Sequence, residues 1–309
     1  MPPRVFATRR FPARVRDELE ASFEVDVHDS EWPPERDELL RHAAGRDGLM
    51  TMLTDRIDDE LLDAAGPQLR IVADYAVGID NVDVEACRRR GVVISNTPDV
   101  LTETTAELTI AILLALLRRV AEGDRLIRRG EQWIWAPNLM LGQGLAGKVL
   151  GLVGHGRIGL AVERLAVAHG MTVIYRSRSS GLPLEELLAT ADVVSLHLPL
   201  TDESRHLIDA AALERMKPTA VLVNVSRGPI VDEEALVAAL RAGTIAGASL
   251  DVFEREPEVH PGLLELENVV LVPHLGSATQ ETREAMGMLC VEALRAVLLE
   301  GDVPANAVS

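Results

Sequence analysis

Three short segments in the last third of the chain carry residue types suited to carbonyl chemistry: Val223-Asn-Val-Ser-Arg-Gly-Pro229, Leu250-Asp-Val-Phe-Glu-Arg-Glu-Pro257 and Val272-Pro-His-Leu-Gly-Ser-Ala-Thr279. Each follows an apolar run that reads as a strand, and loops at the carboxyl ends of parallel strands gather around a ligand. Reducing a carbonyl beside a carboxylate needs a cation for the carboxylate and an acid for the oxygen that gains charge. Arg227 suits the first task and His274 the second, with Glu256 placed to orient the imidazole and favour its protonated form. These three are the candidate catalytic residues, and Arg227 is counted as substrate-binding as well.

Upstream, Val149-Leu-Gly-Leu-Val-Gly-His-Gly-Arg-Ile-Gly159 places Gly154, Gly156 and Gly159 in G-x-G-x-x-G spacing, between an apolar strand and a helix expected to run to His169. Gly154 permits the tight turn, Gly156 lets backbone approach a pyrophosphate, and Gly159 lets helix pack close to strand. The helix N-terminus then offers free N–H groups and a positive dipole end to phosphates. Gly154, His155, Gly156, Arg157, Ile158 and Gly159 are therefore the candidate dinucleotide-binding turn. About 20 residues further on, where an acid would bind a ribose 2′-hydroxyl, the sequence reads Arg176-Ser177-Arg178-Ser179-Ser180 with no Asp or Glu. Two guanidiniums among hydroxyls suit a 2′-phosphate, so Arg176, Ser177 and Arg178 are assigned to the cofactor. NADP(H) is preferred, with NAD(H) as the alternative.

The elements needed to position these residues follow from alternation. Candidate strands at 5–8, 25–28, 48–53, 70–77 and 91–96 alternate with helical stretches at 13–19, 35–43 and 58–64. A long helix is read over 102–129. A second strand series occupies 149–153, 172–175, 192–196, 220–225, 246–250 and 269–272, and a closing helix spans 280–299. Apolar strands separated by helices point to parallel sheets covered on both faces. The expected fold is two doubly wound parallel-sheet domains, Rossmann-like and flavodoxin-like, with a cleft between them. The boundaries expected are 1–98 with 281–309 for a discontinuous substrate domain and 99–280 for the dinucleotide-binding domain.

Composition narrows the function classes. Of 309 residues, 48 are Asp or Glu against 31 Lys or Arg, a net charge of −17. Such a chain repels phosphate backbones and anionic lipid, so neither nucleic acid nor membrane is an expected partner. No apolar run reaches the roughly 18 residues of a membrane span, and no signal-peptide pattern follows the N-terminal arginines. Two cysteines, Cys87 and Cys290, support no disulfide framework and fit a reducing cytoplasm. No metal site is read.

Taken together, these segments resemble the D-isomer-specific 2-hydroxyacid dehydrogenases, and within them the glyoxylate/hydroxypyruvate reductases. Two further stretches carry the resemblance: Tyr75-Ala-Val-Gly-Ile-Asp-Asn-Val-Asp83 and Asn96-Thr-Pro-Asp-Val-Leu-Thr-Glu-Thr-Thr-Ala-Glu107. The resemblance implies an Arg–Glu–His catalytic set on Arg227, Glu256 and His274, and a substrate carboxylate received by the amides of Val77 and Gly78. It adds Thr105, Val225, Asp251, Gly276 and Ser277 to the cofactor lining, Asp251 on the nicotinamide side. It implies NADPH-dependent reduction of a small 2-oxo acid to the D-2-hydroxy acid, while the long apolar helix over 102–129 points to a homodimer; Trp133 and Trp135 resemble the family's segment that reaches a neighbouring active site, with packing at the dimer interface as the alternative. The stretch between Arg178 and Leu184 is shorter than is usual in the family. Two alternatives stay open: another dehydrogenase of the family acting on phosphoglycerate, formate or phosphite, and a nucleotide-sensing corepressor with no turnover. The expected lack of a regulatory C-terminal domain, with the Arg176–Arg178 pair, speaks against phosphoglycerate, and the expected lack of a long flexible tail speaks against the corepressor.

Overall fold

The computed structural model describes residues 1–308. In chain order the first elements are β1 (Arg4–Ala7), α1 (Ala13–Ser22), β2 (Glu24–Val27), α2 (Arg36–Ala43), β3 (Gly48–Thr51), α3 (Asp59–Ala65), β4 (Ile71–Asp74), α4 (Val84–Arg90) and β5 (Val93–Ser95). Next come α5 (Thr102–Leu117), α6 (Val120–Arg128), β6 (Val149–Val153), α7 (Arg157–Ala168), β7 (Thr172–Arg176), α8 (Leu184–Thr190) and β8 (Val193–Leu196). The series continues with α9 (Ala210–Arg215), β9 (Val221–Asn224), α10 (Glu233–Ala242), β10 (Gly247–Leu250), α11 (Pro261–Leu264), β11 (Val269–Leu271) and α12 (Gln280–Arg295). They form two compact units, Met1–Leu101 with Thr279–Ser309, and Thr102–Ala278.

In the first unit five parallel strands run in the order β2-β1-β3-β4-β5. Successive strand residues face opposite sides, and the packing divides accordingly. Val5, Ala7, Met50, Ile71 and Ala73 meet α1 and α12. Phe6, Leu49 and Val72 meet α2, α3 and α4 on the other face. Burying each large apolar side chain contributes about 1.5–3 kcal/mol. The C-terminal helix α12 is thus part of this core: Cys290, Val291 and Leu294 are fully buried on the α1 side. A Cβ on Gly287 would run into the Val15 side chain, so glycine is what lets the two helices approach this closely.

In the second unit six parallel strands run β11-β10-β9-β8-β6-β7. Leu150, Leu152, Val193, Val221 and Val223 face α5 and α7, while Val153, Val194, Leu196 and Leu222 face α8, α9 and α10. The chain reverses direction across the sheet between β6 and β8, a topological switch point of the kind that holds ligands outside the carboxyl ends. Two parallel α/β sheets are what the alternation predicts. The single helix expected over 102–129 is instead two. Arg119 sits at φ +55° in the left-handed region between α5 and α6, and its guanidinium is bonded to Glu122 at 2.6 and 2.8 Å. Among the described residues no helix is long and apolar enough to cross a membrane.

Gly287→Leu should overpack the α1–α12 contact and lower stability by about 1–3 kcal/mol, read from the midpoint of a urea transition. An unchanged midpoint would mean that the C-terminal helix is dispensable to this core.

Candidate active site

The dinucleotide turn is built by close approach. Gly154 has φ +100°, and a Cβ there would overlap the His197 carbonyl after β8. Gly159, in the first turn of α7, passes so near the Gly154 carbonyl that a Cβ would lie 2.5 Å from it. Gly156 differs: nothing lies within 4 Å of where its Cβ would be. The turn is therefore tight underneath and open above, a cradle for a ligand. Gly156 is also the N-cap of α7 and brings no side-chain cap of its own to the first turn, and a helix N-terminus favours an anion. A dinucleotide pyrophosphate fits this geometry, and Gly156, Arg157, Ile158 and Gly159 are the residues that would hold it.

His155 turns away from the open side: its ring stacks on Tyr175 with centroids 3.9 Å apart, and its Nε2 lies 2.6 Å from Glu163 Oε2. At the end of β7, Ser177 and Ser180 bond side chain to side chain at 2.8 Å, and Gly181, φ +95°, packs where a Cβ would strike the Tyr175 carbonyl. This compact turn is how the short stretch after Arg178 is accommodated. Most arginines of the chain sit in ion pairs, but among the described residues neither Arg176 nor Arg178 has a carboxylate within 4.0 Å.

The candidate catalytic segments come next along the sheet. Asn224, the last residue of β9, donates Nδ2 to the Arg227 carbonyl at 2.9 Å, and the Arg227 guanidinium donates to the Ser226 carbonyl at 2.9 Å. A Cβ on Gly228 would collide with the Phe253 carbonyl, so glycine after Arg227 allows this loop to lie against the one after β10. There the Phe253 amide donates to Glu256 Oε1 at 2.9 Å, and Glu256 Oε2 lies 2.9 Å from His274 Nδ1. Both Glu256 oxygens are engaged, and among the described residues His274 Nε2 has no hydrogen-bond partner.

Burial pushes the Glu256 carboxyl up, but the His274 hydrogen bond and charge, the Phe253 amide and the Arg227 guanidinium outweigh it and hold the group below its ordinary value. An ionised Glu256 accepts from His274 Nδ1–H and stabilises positive charge on the ring. This stabilisation is present above the ordinary carboxyl value and is lost as pH falls through the lowered one.

His274 has φ +53°, a left-handed conformation that costs a non-glycine residue about 1–3 kcal/mol. Asp251, fully buried at the end of β10, offsets that strain. Its carbonyl accepts the His274 amide at 2.8 Å, its Oδ1 the Leu275 amide at 2.5 Å and its Oδ2 the Gly276 amide at 2.9 Å. Burial raises the Asp251 carboxyl, the two amides and the His274 charge oppose this, and it ends above its ordinary value. Thr105, inside α5, donates its hydroxyl to the Gly276 carbonyl at 3.0 Å. Asp251, Thr105 and Gly276, read from the sequence as cofactor lining, are thus already bonded to one another as the frame of the His274 turn. Val225 is buried just after β9, and Ser277 follows Gly276 half-buried.

In the first unit, Val77 and Gly78 lie just past β4. Asn96 Nδ2 holds the Val77 carbonyl at 2.9 Å and the Thr97 amide holds the Ala76 carbonyl at 2.8 Å. Among the described residues the amides of Val77 and Gly78 donate to nothing, so two consecutive N–H groups are left for an anion. Sequence reasoning missed His197, which follows β8 at the switch point. Its Nε2 meets Ser195 Oγ at 2.8 Å, its Nδ1 is buried without a partner, and burial lowers the ring to about 3. Its position at a strand's carboxyl end was the available signal.

Comparison with known proteins gives a consistent picture. Residues 110–276 match the family profile described as D-isomer specific 2-hydroxyacid dehydrogenase, NAD binding domain. The glyoxylate reductases of Korarchaeum cryptofilum and Aeropyrum pernix are 48% and 50% identical to this chain. The alignments cover 100% and 99% of this chain and 96% of each relative. Among solved structures, the NADPH-dependent glyoxylate/hydroxypyruvate reductase of Sinorhizobium meliloti, in complex with NADP and malonate, superimposes with a TM-score of 0.86 at 36% identity, covering 100% of this chain and 97% of that one. A protein of Thermus thermophilus superimposes with a TM-score of 0.94 at 48% identity, covering 99% and 100%.

His274→Ala should lower kcat by about 10²–10⁴-fold while the dissociation constant of the reduced cofactor changes little. Equal loss of both would remove His274 from the acid role. Glu256→Gln should also act on kcat, and it should weaken the acid limb of the pH–rate profile that Glu256 protonation causes. An unaltered acid limb would detach Glu256 from the imidazole's chemistry.

Proposed function

The chain belongs to the D-isomer-specific 2-hydroxyacid dehydrogenase family, and from that premise we propose that it reduces glyoxylate or hydroxypyruvate to the D-2-hydroxy acid with NADPH. The observation that carries the reading is the His274–Glu256 pair beside Arg227, with His274 Nε2 uncommitted. When bound, the reduced nicotinamide supplies the hydride for the substrate's C2. His274 holds a proton at Nε2 and passes it to the oxygen as negative charge develops there. Glu256 keeps the ring in the orientation that makes this transfer short, and stabilises the imidazolium before the proton leaves. Arg227 offers planar N–H donors to carboxylate and carbonyl oxygen, which lowers the cost of charge on that oxygen. The unengaged amides of Val77 and Gly78 are assigned to the substrate carboxylate.

NADPH over NADH rests on Arg176 and Arg178. In a chain of net charge −17, two guanidiniums at the end of β7 with no carboxylate within 4.0 Å offer positive charge to a ligand, although Arg178 also lowers the Glu203 carboxyl through its charge. Ser177, beside them, adds a hydroxyl. Asp251 is assigned to the nicotinamide side in addition to its amide contacts, since each carboxylate oxygen has a second lone pair.

The segment after α6 is assigned to contact with a second copy of the chain. Trp133, Ile134 and Trp135 are 59%, 77% and 80% exposed, and Leu141 is 65% exposed, a run of apolar surface that a lone chain leaves in water.

A panel of small 2-oxo acids assayed with both reduced cofactors tests substrate and cofactor together. Glyoxylate or hydroxypyruvate should give the highest kcat/KM, with NADPH favoured. The Arg176→Ala, Arg178→Ala double variant should raise KM for NADPH by about 10-fold or more, while KM for NADH hardly moves. NADPH kinetics indifferent to the double change would overturn the 2′-phosphate assignment. Sedimentation analysis should show a dimer that the Trp133→Ser, Trp135→Ser variant weakens; a monomeric parent protein would remove the second-copy assignment.

A further inference from the structure

The carboxyl ends of β1, β3 and β4 are joined by a buried polar network that the reaction above does not use. Arg9 pairs with Asp55 at 3.0 Å, and both side chains are almost wholly enclosed. Asp55 also accepts the Thr8 hydroxyl at 2.5 Å and the Met52 amide at 2.8 Å. Next to them is Asp74, the last residue of β4, with no exposed surface. Its Oδ1 accepts the Thr51 hydroxyl at 2.9 Å and Asn81 Nδ2 at 3.4 Å. Its Oδ2 has no partner, and neither has Asn81 Oδ1.

Two buried acceptors, each lacking a donor, on side chains that meet through Asn81 Nδ2 and Asp74 Oδ1 at 3.4 Å, make an expensive arrangement. Turning the Asn81 amide over does not relieve it. The NH2 group faces three acceptors, the carbonyls of Met52 at 3.3 Å and Asp55 at 3.0 Å and the Asp74 carboxyl, and backbone carbonyls have no hydrogen to offer in exchange. Asp74 can supply the missing donor itself, as a neutral acid. With a proton on Oδ2, the two side chains are complementary: the amide N–H donates to Oδ1, and the acid O–H donates to the amide oxygen.

We propose that Asp74 is a neutral carboxylic acid, paired with Asn81, and that this pair is a positioning device for the loop 75–81 that presents Val77 and Gly78. The surroundings favour the neutral form. Burial pushes the Asp74 carboxyl up to about 7, the Thr51 and Asn81 hydrogen bonds oppose it, and the nearby charges of Asp55 and Asp80 push it further up. From α12 the facing group is Cys290, whose thiol burial holds well above its ordinary value, so it is uncharged. The cation of the network, Arg9, is engaged with Asp55. Asn81 transmits the effect, because its backbone carbonyl also accepts the Ile57 amide at 2.9 Å. Loss of the proton sets a carboxylate oxygen against the Asn81 oxygen and frees the loop from β4.

The direction of the pH effect follows. A carboxyl raised in the folded state contributes stability that is complete below its ordinary value of 3.8, and that is lost as pH rises through about 7. Asp74→Asn removes the titration yet supplies the same hydrogen bonds, since an amide NH2 in place of the acid O–H donates to Asn81 Oδ1. The test compares the full-length protein with this variant from about pH 5 to about pH 8.5 by thermal midpoint, together with the infrared difference spectrum near pH 5.5. Expected are a neutral-acid C=O band present in the parent and absent in the variant, and a parent midpoint that falls relative to the variant as pH rises. A carboxylate band in place of the acid band, with parallel midpoints, would overturn the proposal. The link to the loop rests on the reading that Val77 and Gly78 take the substrate carboxylate. It predicts that KM for glyoxylate, more than kcat, climbs with pH in the parent by several-fold over the variant. The acid band and the stability slope without that KM split would leave Asp74 protonated and refute the loop's role in binding.

Discussion

Asp251 is the residue on which the geometry of the candidate site depends. A histidine at φ +53° is held against its own backbone preference, and the carboxylate that holds it donates nothing to the chemistry directly. Three bonds run from Asp251 to His274, Leu275 and Gly276, and a fourth runs from Thr105 to the same turn. Because Asp251 is fully buried, water cannot substitute for those amides, and the turn has one low-energy arrangement. The ring is then fixed from behind by Glu256, whose two oxygens are both used. The general-acid role proposed for His274 needs this kind of double restraint, since a misplacement of about 1 Å is costly in rate.

Glycines set the distances between the loops. Gly154, Gly159 and Gly228 each stand where a Cβ would collide with backbone of an adjoining segment. These contacts press the dinucleotide turn onto β8 and the Arg227 loop onto the Glu256 loop. Gly156 stands in the same motif for the opposite reason, because the space above it is free. One spacing pattern therefore serves both packing and ligand approach.

The electrostatics sort along the same lines. The chain is strongly acidic, yet its acids are not equivalent. Glu256 is kept ionised by the groups it touches, whereas Asp251 and Asp74 are pushed toward neutrality by burial. The cations divide in a similar way. Surface arginines such as Arg90, Arg125 and Arg241 are spent on neighbouring carboxylates. Such exposed pairs add little stability; among the described residues Arg176 and Arg178 have no carboxylate within 4.0 Å.

Much of this was legible in the sequence. Alternating apolar runs specify parallel sheets because side-chain period and burial on both faces are local consequences of residue order. The glycine turn was legible for the same reason, since strand, turn and helix are contiguous, and so was the placing of the three candidate segments at strand ends. The break in the helix read over 102–129 was not, since a positive φ at Arg119 leaves no mark in hydrophobic periodicity. Nor was the use of Asp251 as a frame for His274, the partnerless nitrogen of His197, or the pairing of Asp74 with Asn81. Sequence order by itself determined which elements form and which reactive groups stand at their ends. Tertiary structure decided which of those groups meet, which are stripped of water and which therefore carry a proton, because desolvation and hydrogen bonding are set by neighbours far away along the chain.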